Sequence, residues 1–205
     1  MTAALTDRLA QACEAWGATL SAPAAASLVQ LLDQLLRWNQ TYNLTAIRDR
    51  DQAFTLHLLD SLSLLPYVTG PTLLDVGTGP GFPALPLAIV RPDIAITALD
   101  SNNKKIRFIR QMAHELGLRN VTPVHARVEH HQGQYQQVTS RAFTELKGFL
   151  DLTEALLAPG GDWLAMKSQS AASEIALLPA GLNAEVLTVH VPTLQADRCV
   201  VRVRR

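Results

Sequence analysis

The chain has 205 residues, 48% of them hydrophobic and 18% charged, and its 18 basic and 18 acidic residues give a formal net charge of +0. This apolar content excludes an intrinsically disordered chain, and the length suits one full-sized hydrophobic core with an extension. The balanced charge does not by itself indicate a nucleic-acid-binding protein. Basic residues are nevertheless concentrated in two segments, Lys104–Arg110 and Arg198–Arg205.

The sequence predicts a cytoplasmic protein without a membrane span. Crossing a bilayer takes roughly 20 consecutive apolar residues, and every apolar run here is interrupted earlier. The N-terminus lacks the basic segment and apolar run of a secretory signal. Because the two cysteines, Cys13 and Cys199, are far apart in the sequence, we expect neither a disulfide framework nor a metal site.

The first 66 residues predict an N-terminal helical extension. Apolar residues recur every three or four positions from Leu5 to Trp16, as they do on one face of a helix. A second helix is expected to begin after Ser21, a residue type common at N-caps, with Pro23 in its first turn. A third covers Gln52–Leu65 and ends at the next proline.

From residue 67 the pattern changes, and residues 67–205 predict a Rossmann-like α/β domain. Short runs typical of β-strands alternate with amphipathic segments, which indicates a parallel sheet with crossover helices. The last two runs should form a hairpin-like pair, so that about seven strands include one antiparallel strand. The predicted strands are Thr72–Val76, Ala95–Leu99, Val121–His125, Gln137–Arg141, Asp162–Lys167, Glu185–Val191 and Arg198–Val203, and the predicted helices are Pro83–Val90, Asn103–Leu116 and Glu145–Leu157.

A glycine-rich loop joins the first predicted strand to the following helix. After Asp75, glycine occupies every second position, at Gly77, Gly79 and Gly81. A dinucleotide-binding fingerprint instead spaces its glycines as G-x-G-x-x-G. Glycine lets the backbone turn tightly and approach a ligand, and the N–H groups that begin the helix favour a negative group. The spacing resembles the S-adenosylmethionine loop of class I methyltransferases.

Three further residues follow the ends of strands two, three and four, where open α/β sheets bind ligands. Asp100 is placed to hydrogen-bond ribose hydroxyls, although it could instead cap the turn that begins the next helix. Glu129 could bind ribose or adenine, with Val128 stacking on the base. The alternative is that Glu129 is an acidic surface residue without a ligand. Arg141 ends strand four, and its alternative is an ordinary ion-pair partner.

The chain lacks the motifs of several methyl-transfer reactions. Amino methylation of adenine or cytosine typically uses an Asn/Asp/Ser-Pro-Pro-aromatic motif, and no Pro-Pro pair occurs here. Carbon-5 methylation of pyrimidines needs a cysteine nucleophile near strand four, and neither cysteine lies there. Methylation of guanine at N7 needs none of these motifs. The N7 lone pair is free at neutral pH, so catalysis requires only that the two reactants be positioned.

Several motifs follow one another from Trp38 to the C-terminus. They are Trp38-Asn39-x-x-Tyr42-Asn43-Leu44-Thr45, His57-x-x-Asp60-Ser61, Asp75–Pro83, Asp100-Ser101-x-x-Lys104-Lys105, Arg127-Val128-Glu129 and Ser140-Arg141-Ala142. With these motifs the chain resembles the bacterial 16S ribosomal RNA methyltransferase G family, also called glucose-inhibited division protein B. The resemblance implies a class I methyltransferase fold and S-adenosyl-L-methionine as cofactor. It also implies N7 methylation of one guanine in the decoding-centre loop, with 16S ribosomal RNA or the small ribosomal subunit as partner.

The resemblance further implies which residues form the site. The expected cofactor-binding residues are Gly77, Gly79, Gly81, Phe82, Asp100, Val128, Glu129 and Arg141. The residues expected near the substrate are Asn43, Thr45, His57, Asp60 and Ser61. No catalytic residue is certain, and the candidates for positioning are Asn43, His57, Asp60 and Arg141. The alternatives are a helix cap at Asn43 or Thr45 and a hydrogen-bonded core role for His57.

Two positions depart from the family's pattern. Ala84 stands where the family usually has glycine, and Ser168 follows Lys167 where the family usually has Lys-Gly.

Two other functions stay open. Since the fold hosts many acceptors, a class I methyltransferase that acts on a protein or a small molecule is the first alternative. The second is a non-catalytic ribosome assembly factor, against which the intact glycine loop and Asp100 argue.

Overall fold

A computed structural model describes residues 2–141, 143–167, 171–195 and 198–205 of the chain. In these ranges a helical N-terminal part is followed by alternating strands and helices. The helices are α1 (Thr2–Ala15), α2 (Ala22–Tyr42), α3 (Arg50–Ala53), α4 (Asp60–Leu62), α5 (Ala84–Val90), α6 (Asn103–Glu115), α7 (Leu146–Thr153) and α8 (Ala171–Ile175). The strands are β1 (Thr72–Val76), β2 (Ala95–Asp100), β3 (Val121–His125), β4 (Tyr135–Arg141), β5 (Leu157–Lys167), β6 (Asn183–Val189) and β7 (Arg198–Arg204).

The seven strands form one sheet in the order β3-β2-β1-β4-β5-β7-β6. β1 pairs in parallel with β2 on one side and β4 on the other, whereas β7 is antiparallel to both of its neighbours. The strand order therefore reverses at β1, and a crevice opens there at the carboxyl edge of the sheet. The predicted α/β fold, with a mostly parallel sheet and one antiparallel strand, is confirmed.

Both of the first two helices lie where the sequence predicted them. The Ser21 hydroxyl accepts a hydrogen bond from the Ala24 N–H, so Ser21 caps α2, and Pro23 lies in the first turn. α2 ends where Asn43 takes a left-handed conformation with a φ of 50°. None of the described helices is long and apolar enough to cross a membrane.

The predicted third helix, Gln52–Leu65, differs in its bounds and in its geometry. It begins at Arg50, because the carboxylate of Asp49 caps its first turn. A π-helical segment, Phe54–Leu59, separates α3 from α4, which ends at Leu62. A π turn holds about one residue more than an α turn and so changes which side chains face the sheet. The apolar spacing could not predict this change.

Strand β5 begins at Leu157 rather than at Asp162, and the short α8 was not predicted. The Pro159-Gly160-Gly161 segment interrupts the pairing of β5 with β4 but does not end the strand, since both Leu157 and Asp162 pair with β4. A side chain at Gly161 would come within 2.6 Å of the Gln136 carbonyl oxygen, so glycine is required at this close approach. α8 has 5 residues, too few to produce a helical repeat.

Hydrophobic residues pack on both faces of the sheet, as expected for parallel strands that are buried on both sides. On one face, α1, α2, α5 and α6 form a continuous core with the strands, and Leu73 of β1 points into it. On the other face, Leu74 packs with Phe149 of α7 and Trp163 of β5. The N-terminal helices thus share the core of the sheet. The division of the chain into residues 1–66 and 67–205 remains a prediction.

Candidate active site

Two cavities adjoin at the carboxyl edge of the sheet, where the chain leaves β1, β2 and β4. One has a volume of about 710 Å³ and is lined by Arg141 and Arg198; it is named here the arginine cavity. The other, of about 440 Å³, is lined by Asp100 and Glu129 and is named the carboxylate cavity. Gly77 lines both cavities, so they meet beside the glycine loop.

The carboxylate cavity brings together Asp100, Val128 and Glu129, which the sequence assigned to one ligand. The two carboxylate oxygens of Asp100 accept hydrogen bonds from the Gly79 N–H at 2.9 Å and the Asn102 N–H at 2.7 Å. Asp100 therefore does cap the turn before α6, and it also ties the glycine loop to that turn. Because each carboxylate oxygen has two lone pairs, these bonds leave room for a ligand hydroxyl.

The three loop glycines all have positive φ angles, of 66°, 63° and 92° at Gly77, Gly79 and Gly81, but their surroundings differ. A Cβ at Gly79 would meet no atom within 4 Å, and Gly79 lines the arginine cavity. A Cβ at Gly81 would come within 2.6 Å of the Leu85 side chain, and Gly81 lines neither cavity. The structure places Gly77 and Gly79 at the site, whereas Gly81 packs against α5.

Asp75 is fully buried at the base of the loop. Its Oδ2 accepts hydrogen bonds from the Thr78 hydroxyl at 2.6 Å and the Ala84 N–H at 3.1 Å, and its Oδ1 has no partner among the described residues. Burial raises the pKa of Asp75 to about 6, although the two hydrogen bonds oppose the rise. Ala84, the first residue of α5, contributes its backbone N–H, which alanine provides as well as glycine.

Asp60 joins two arginines in the wall of the arginine cavity. Its carboxylate accepts hydrogen bonds from Arg141 on Oδ2 and from Arg198 on Oδ1, each at 3.1 Å. Arg141 ends β4, Arg198 begins the antiparallel β7 and Asp60 begins α4, so elements that are distant in sequence meet here. The buried carboxylate is balanced by two cations, which are in turn held in fixed positions at the cavity.

His57 lies on the π-helical segment, and both of its ring nitrogens have partners. Nδ1 accepts a hydrogen bond from Arg141 Nη2 at 3.3 Å, and Nε2 lies 3.1 Å from the Thr45 hydroxyl. The ring packs on Phe82, with centroids 4.9 Å apart. Burial, followed by the charge of Arg141, lowers the pKa of His57 from 6.5 to about 4. A neutral His57 thus holds Arg141 in place, which agrees with the hydrogen-bonded role left open by the sequence.

The other substrate-side residues fall into two groups. Thr45 lines the arginine cavity and contacts His57. Asn43 and Ser61 line neither cavity. Asn43 is exposed at the end of α2, where its side-chain oxygen accepts a hydrogen bond from Arg48, so the helix-cap alternative is the one observed. Ser61 is fully buried, and its hydroxyl has no partner within the described part of the chain.

Asn39 has a structural part in the site that the sequence analysis did not assign. Its side-chain amide donates to the Ile47 carbonyl at 3.2 Å, and its side-chain oxygen accepts from the Thr45 N–H at 2.9 Å. These bonds hold the loop after α2 along the arginine cavity. Asn39 belongs to the motif that runs from Trp38 to Thr45, but this motif did not reveal the partners of its side chain.

Five charged residues line the cavities although the sequence did not assign them to the site: Lys105, Arg127, Lys167, Glu174 and Arg198. Lys105 lines both, and Lys167 and Glu174 line the arginine cavity, where the Lys167 ammonium donates to the Glu174 carboxylate at 2.7 Å. Lys105 belongs to a quoted motif and could have been suspected, but Glu174 lies on the unpredicted α8. Ser168, the second departure from the family's pattern, and Ala142 lie outside the described residues.

Solved structures with this fold include several methyltransferases. A SAM dependent methyltransferase from Aquifex aeolicus matches with a TM-score of 0.59 at 18% identity, covering 76% of this chain and 93% of that one. A precorrin-6y C5,15-methyltransferase from Geobacter metallireducens matches with a TM-score of 0.57 at 17% identity, covering 71% of this chain and 88% of that one. At this identity the likeness concerns the fold, which is that of the class I methyltransferases.

The sequence identifies the family within this class. A sequence profile described as GidB, rRNA small subunit methyltransferase G, matches residues 24–201. A relative named ribosomal RNA small subunit methyltransferase G from Chromohalobacter salexigens is 50% identical over 100% of each chain, and one of the same name from Chromobacterium violaceum is 48% identical over 97% of each. The chain belongs to the rRNA small subunit methyltransferase G family. The predicted family and its class of enzyme, a methyltransferase that uses S-adenosylmethionine, are confirmed.

Proposed function

We propose that this protein transfers the methyl group of S-adenosylmethionine to N7 of one guanine in the decoding-centre loop of 16S ribosomal RNA. The family supports small-subunit ribosomal RNA as the acceptor. The observation that carries the proposal is the junction of two cavities at Gly77, one lined by carboxylates and the other by arginines. Two ligands bound in adjoining cavities are held close enough to exchange a group.

The residues of the carboxylate cavity suit the nucleoside part of S-adenosylmethionine. Asp100 and Glu129 would accept hydrogen bonds from ribose hydroxyls or the adenine amino group, and Val128 would pack on the base. The open space at Gly79 would let the loop backbone approach the ligand. Arg141, at the arginine cavity, would bind the carboxylate of the methionine part.

The residues of the arginine cavity suit a reaction that needs positioning without proton transfer. Bound S-adenosylmethionine supplies an electrophilic methyl group, and guanine N7 carries no proton at neutral pH. His57 has both ring nitrogens occupied and a lowered pKa, so it would orient Arg141 rather than accept a proton from the base. Asp60 would in the same way hold Arg141 toward the cofactor and Arg198 toward the acceptor.

The N-terminal extension would serve the acceptor side. Residues 1–66 supply Thr45, His57 and Asp60 to the arginine cavity, whereas the assigned cofactor residues belong to the Rossmann-like domain, residues 67–205. The partner would be 16S ribosomal RNA, free or in the small subunit. The protein would act in the cytoplasm, where bacterial ribosomes are assembled.

Methylation of ribosomal RNA in vitro tests this function. Small subunits and naked 16S RNA from cells that lack the gene would be incubated with the purified protein and radiolabelled S-adenosylmethionine, and the products identified by nucleoside mass spectrometry. We expect label in a single 7-methylguanosine. Asp100→Ala should lose the transfer, whereas Asp93→Ala, the same change at an exposed residue, should keep it. Label in a ribosomal protein, or binding without transfer, would instead support the alternative functions.

A further inference from the structure

The two basic segments of the chain differ in how their charges are neutralised. The arginines of the C-terminal segment pair with carboxylates, in the contacts Arg198–Asp60, Arg202–Asp162, Arg204–Asp162 and Arg205–Glu154. On α6, by contrast, the side chains of Lys104, Arg107 and Arg110 form no ion pair or hydrogen bond with any part of the chain that the structure describes. The net charge of zero thus conceals three exposed cations on α6 that have no partner among the described residues.

These three cations lie along one face of α6. Their spacing of three residues places neighbouring side chains on adjacent turns of the helix. All three are exposed, while Ile106, Phe108 and Ile109 on the opposite side are buried. A row of cations on a rigid helix can contact successive phosphates of a nucleic acid strand.

A row of aromatic rings connects α6 to the end of α2. The ring centroids of Tyr42 and Trp38 are 5.2 Å apart, and those of Trp38 and Phe108 are 5.5 Å apart. Phe108 is one helical turn from Lys104, and its buried ring joins α6 to the aromatic residues of α2. The row ends at Tyr42, which is 38% exposed although its ring is largely apolar. An exposed aromatic ring on a helix that packs against one carrying cations is a typical stacking site for unpaired bases.

Sequence neighbours of both features line the arginine cavity. Lys105, the neighbour of Lys104, lines the junction of the two cavities. Leu44 and Thr45, which follow Tyr42 closely in the sequence, line the arginine cavity. A strand lying across the cations and Tyr42 would therefore pass the cavity opening. A base can enter such a cavity only when it is unpaired and turned out of its stack.

We propose that Tyr42, Lys104, Arg107 and Arg110 form a platform for single-stranded RNA, with Tyr42 stacking on a base beside the target and the cations contacting phosphates. The proposal rests on the proposed function, because it names the surface that delivers RNA to that site. The C-terminal arginines, whose charges are paired, do not belong to this platform.

Binding of a fluorescent, unstructured single-stranded RNA oligonucleotide to the full-length protein, measured at several salt concentrations, tests the platform. Lys104→Ala/Arg107→Ala should weaken binding at least tenfold at low salt. It should also lower the slope of log affinity against log salt by about 1.4, since two phosphate contacts are lost. The control Arg204→Ala/Arg205→Ala removes the same charge and should stay within about twofold of the wild type. Equal losses in the two double variants would overturn the platform.

Tyr42 provides a second test that does not change charge. Tyr42→Phe keeps the ring and should bind the oligonucleotide as the wild type does, whereas Tyr42→Ala should bind about tenfold more weakly. The same oligonucleotide annealed to its complement should bind more weakly than the single strand and should not distinguish the two Tyr42 variants. Tighter binding of the duplex, or equal binding by Tyr42→Ala and Tyr42→Phe, would exclude a single strand stacked on Tyr42.

The affinity for S-adenosylmethionine, measured by calorimetry on the same variants, separates this proposal from the proposed function. The platform variants should bind the cofactor like the wild type while their methylation of ribosomal RNA falls at limiting RNA concentration. If the wild type does not bind the cofactor, the proposed function fails. If the wild type binds and methylates RNA but Lys104→Ala/Arg107→Ala does so equally well, the platform alone is wrong.

Discussion

Arg141 places its guanidinium group 3.3 Å from Nδ1 of the buried His57. Burial of His57, followed by the positive charge of Arg141, lowers the pKa of the imidazole, which therefore stays neutral near pH 7. Burial also disfavours the charged form of Asp75, and because this group is an acid its pKa is raised, to about 6. The two groups therefore make opposite contributions to the pH dependence of folding.

The stability that His57→Gln loses relative to the wild type should be greater at pH 7 than at pH 4.5, by about 2 kcal/mol in the free energy of unfolding. The unfolded imidazole takes up a proton below its ordinary pKa of 6.5, whereas the folded one does so only near 4. The wild type therefore loses this stability as the pH falls through that window, and glutamine does not titrate. Urea unfolding at both pH values measures the difference, and a loss independent of pH would show that His57 is not desolvated in this way.

Asp75→Asn should show the opposite sign. Because the folded carboxyl group holds its proton up to about pH 6 and the unfolded group releases it near 3.8, the wild type loses stability as the pH rises between these values. Relative to the wild type, Asp75→Asn should therefore gain about 2 kcal/mol between pH 4.5 and pH 7. The same urea titrations measure it, with His57→Gln as the reference of opposite slope. Parallel slopes in the two variants would contradict at least one of the two assignments, and the absence of any slope would contradict both.

Asp100→Ala should weaken S-adenosylmethionine binding tenfold or more, because one or two hydrogen bonds to a charged group, worth roughly 1.5–3 kcal/mol each, are lost. Since Asp100 also caps the turn before α6, a control must disturb that turn alone. Asn102→Ala does this, because the Asn102 side chain accepts the Lys104 N–H at the start of α6. Calorimetry should find near wild-type affinity for Asn102→Ala. An equal loss in both variants would mean that Asp100 acts through the turn.

Gly79→Ala and Gly81→Ala should fail in different ways. Gly79 faces open space, so alanine adds only the cost of its positive φ, about 1–2 kcal/mol of stability, while its methyl group enters the cavity and blocks the ligand. Gly81 is packed against Leu85, so alanine there should cost about 2–3 kcal/mol or more through overpacking as well as φ. Thermal unfolding measures the stability of both variants, and calorimetry measures their affinity for S-adenosylmethionine. Equal losses of stability and equal losses of affinity in the two variants would refute the prediction.

Much of the fold was predictable because parallel strands are recognisable as short apolar runs. β1 and β3 have the bounds that the sequence predicted, and α6 differs by one residue at its end. The start of β5 was missed because proline and glycine usually end a strand, whereas Gly161 here allows the strand to continue past an irregularity. The π-helical segment was missed because apolar residues recur there at much the same spacing as in an α-helix.

The site was predictable where it lies at the ends of parallel strands. Asp100 and Arg141 end β2 and β4, and Glu129 follows β3. Because these strands end at the same edge of the sheet, the positions of the three residues at the adjoining cavities followed from topology. Arg198 reaches the same edge because β7 is antiparallel and starts there, and its pairing with Asp60 joins residues 138 positions apart. No local pattern encodes such a contact, so the sequence could not supply it.

Methyl transfer by the wild type should show no requirement for a deprotonated catalytic group. Guanine N7 needs no base, His57 loses its proton near pH 4 in the folded protein, and Asp75, although its pKa is about 6, is fully buried and lines neither cavity. If chemistry limits the rate, single-turnover transfer at saturating cofactor and RNA should therefore be level between about pH 6.5 and pH 9. His57→Gln is the decisive variant, because glutamine can still accept a hydrogen bond from Arg141 but cannot take up a proton. It should keep most of the transfer rate and the same level profile. A wild-type rate that follows one ionisation near pH 6.5, together with loss of transfer in His57→Gln at unchanged cofactor and RNA affinity, would make His57 a general base and replace positioning as the mechanism.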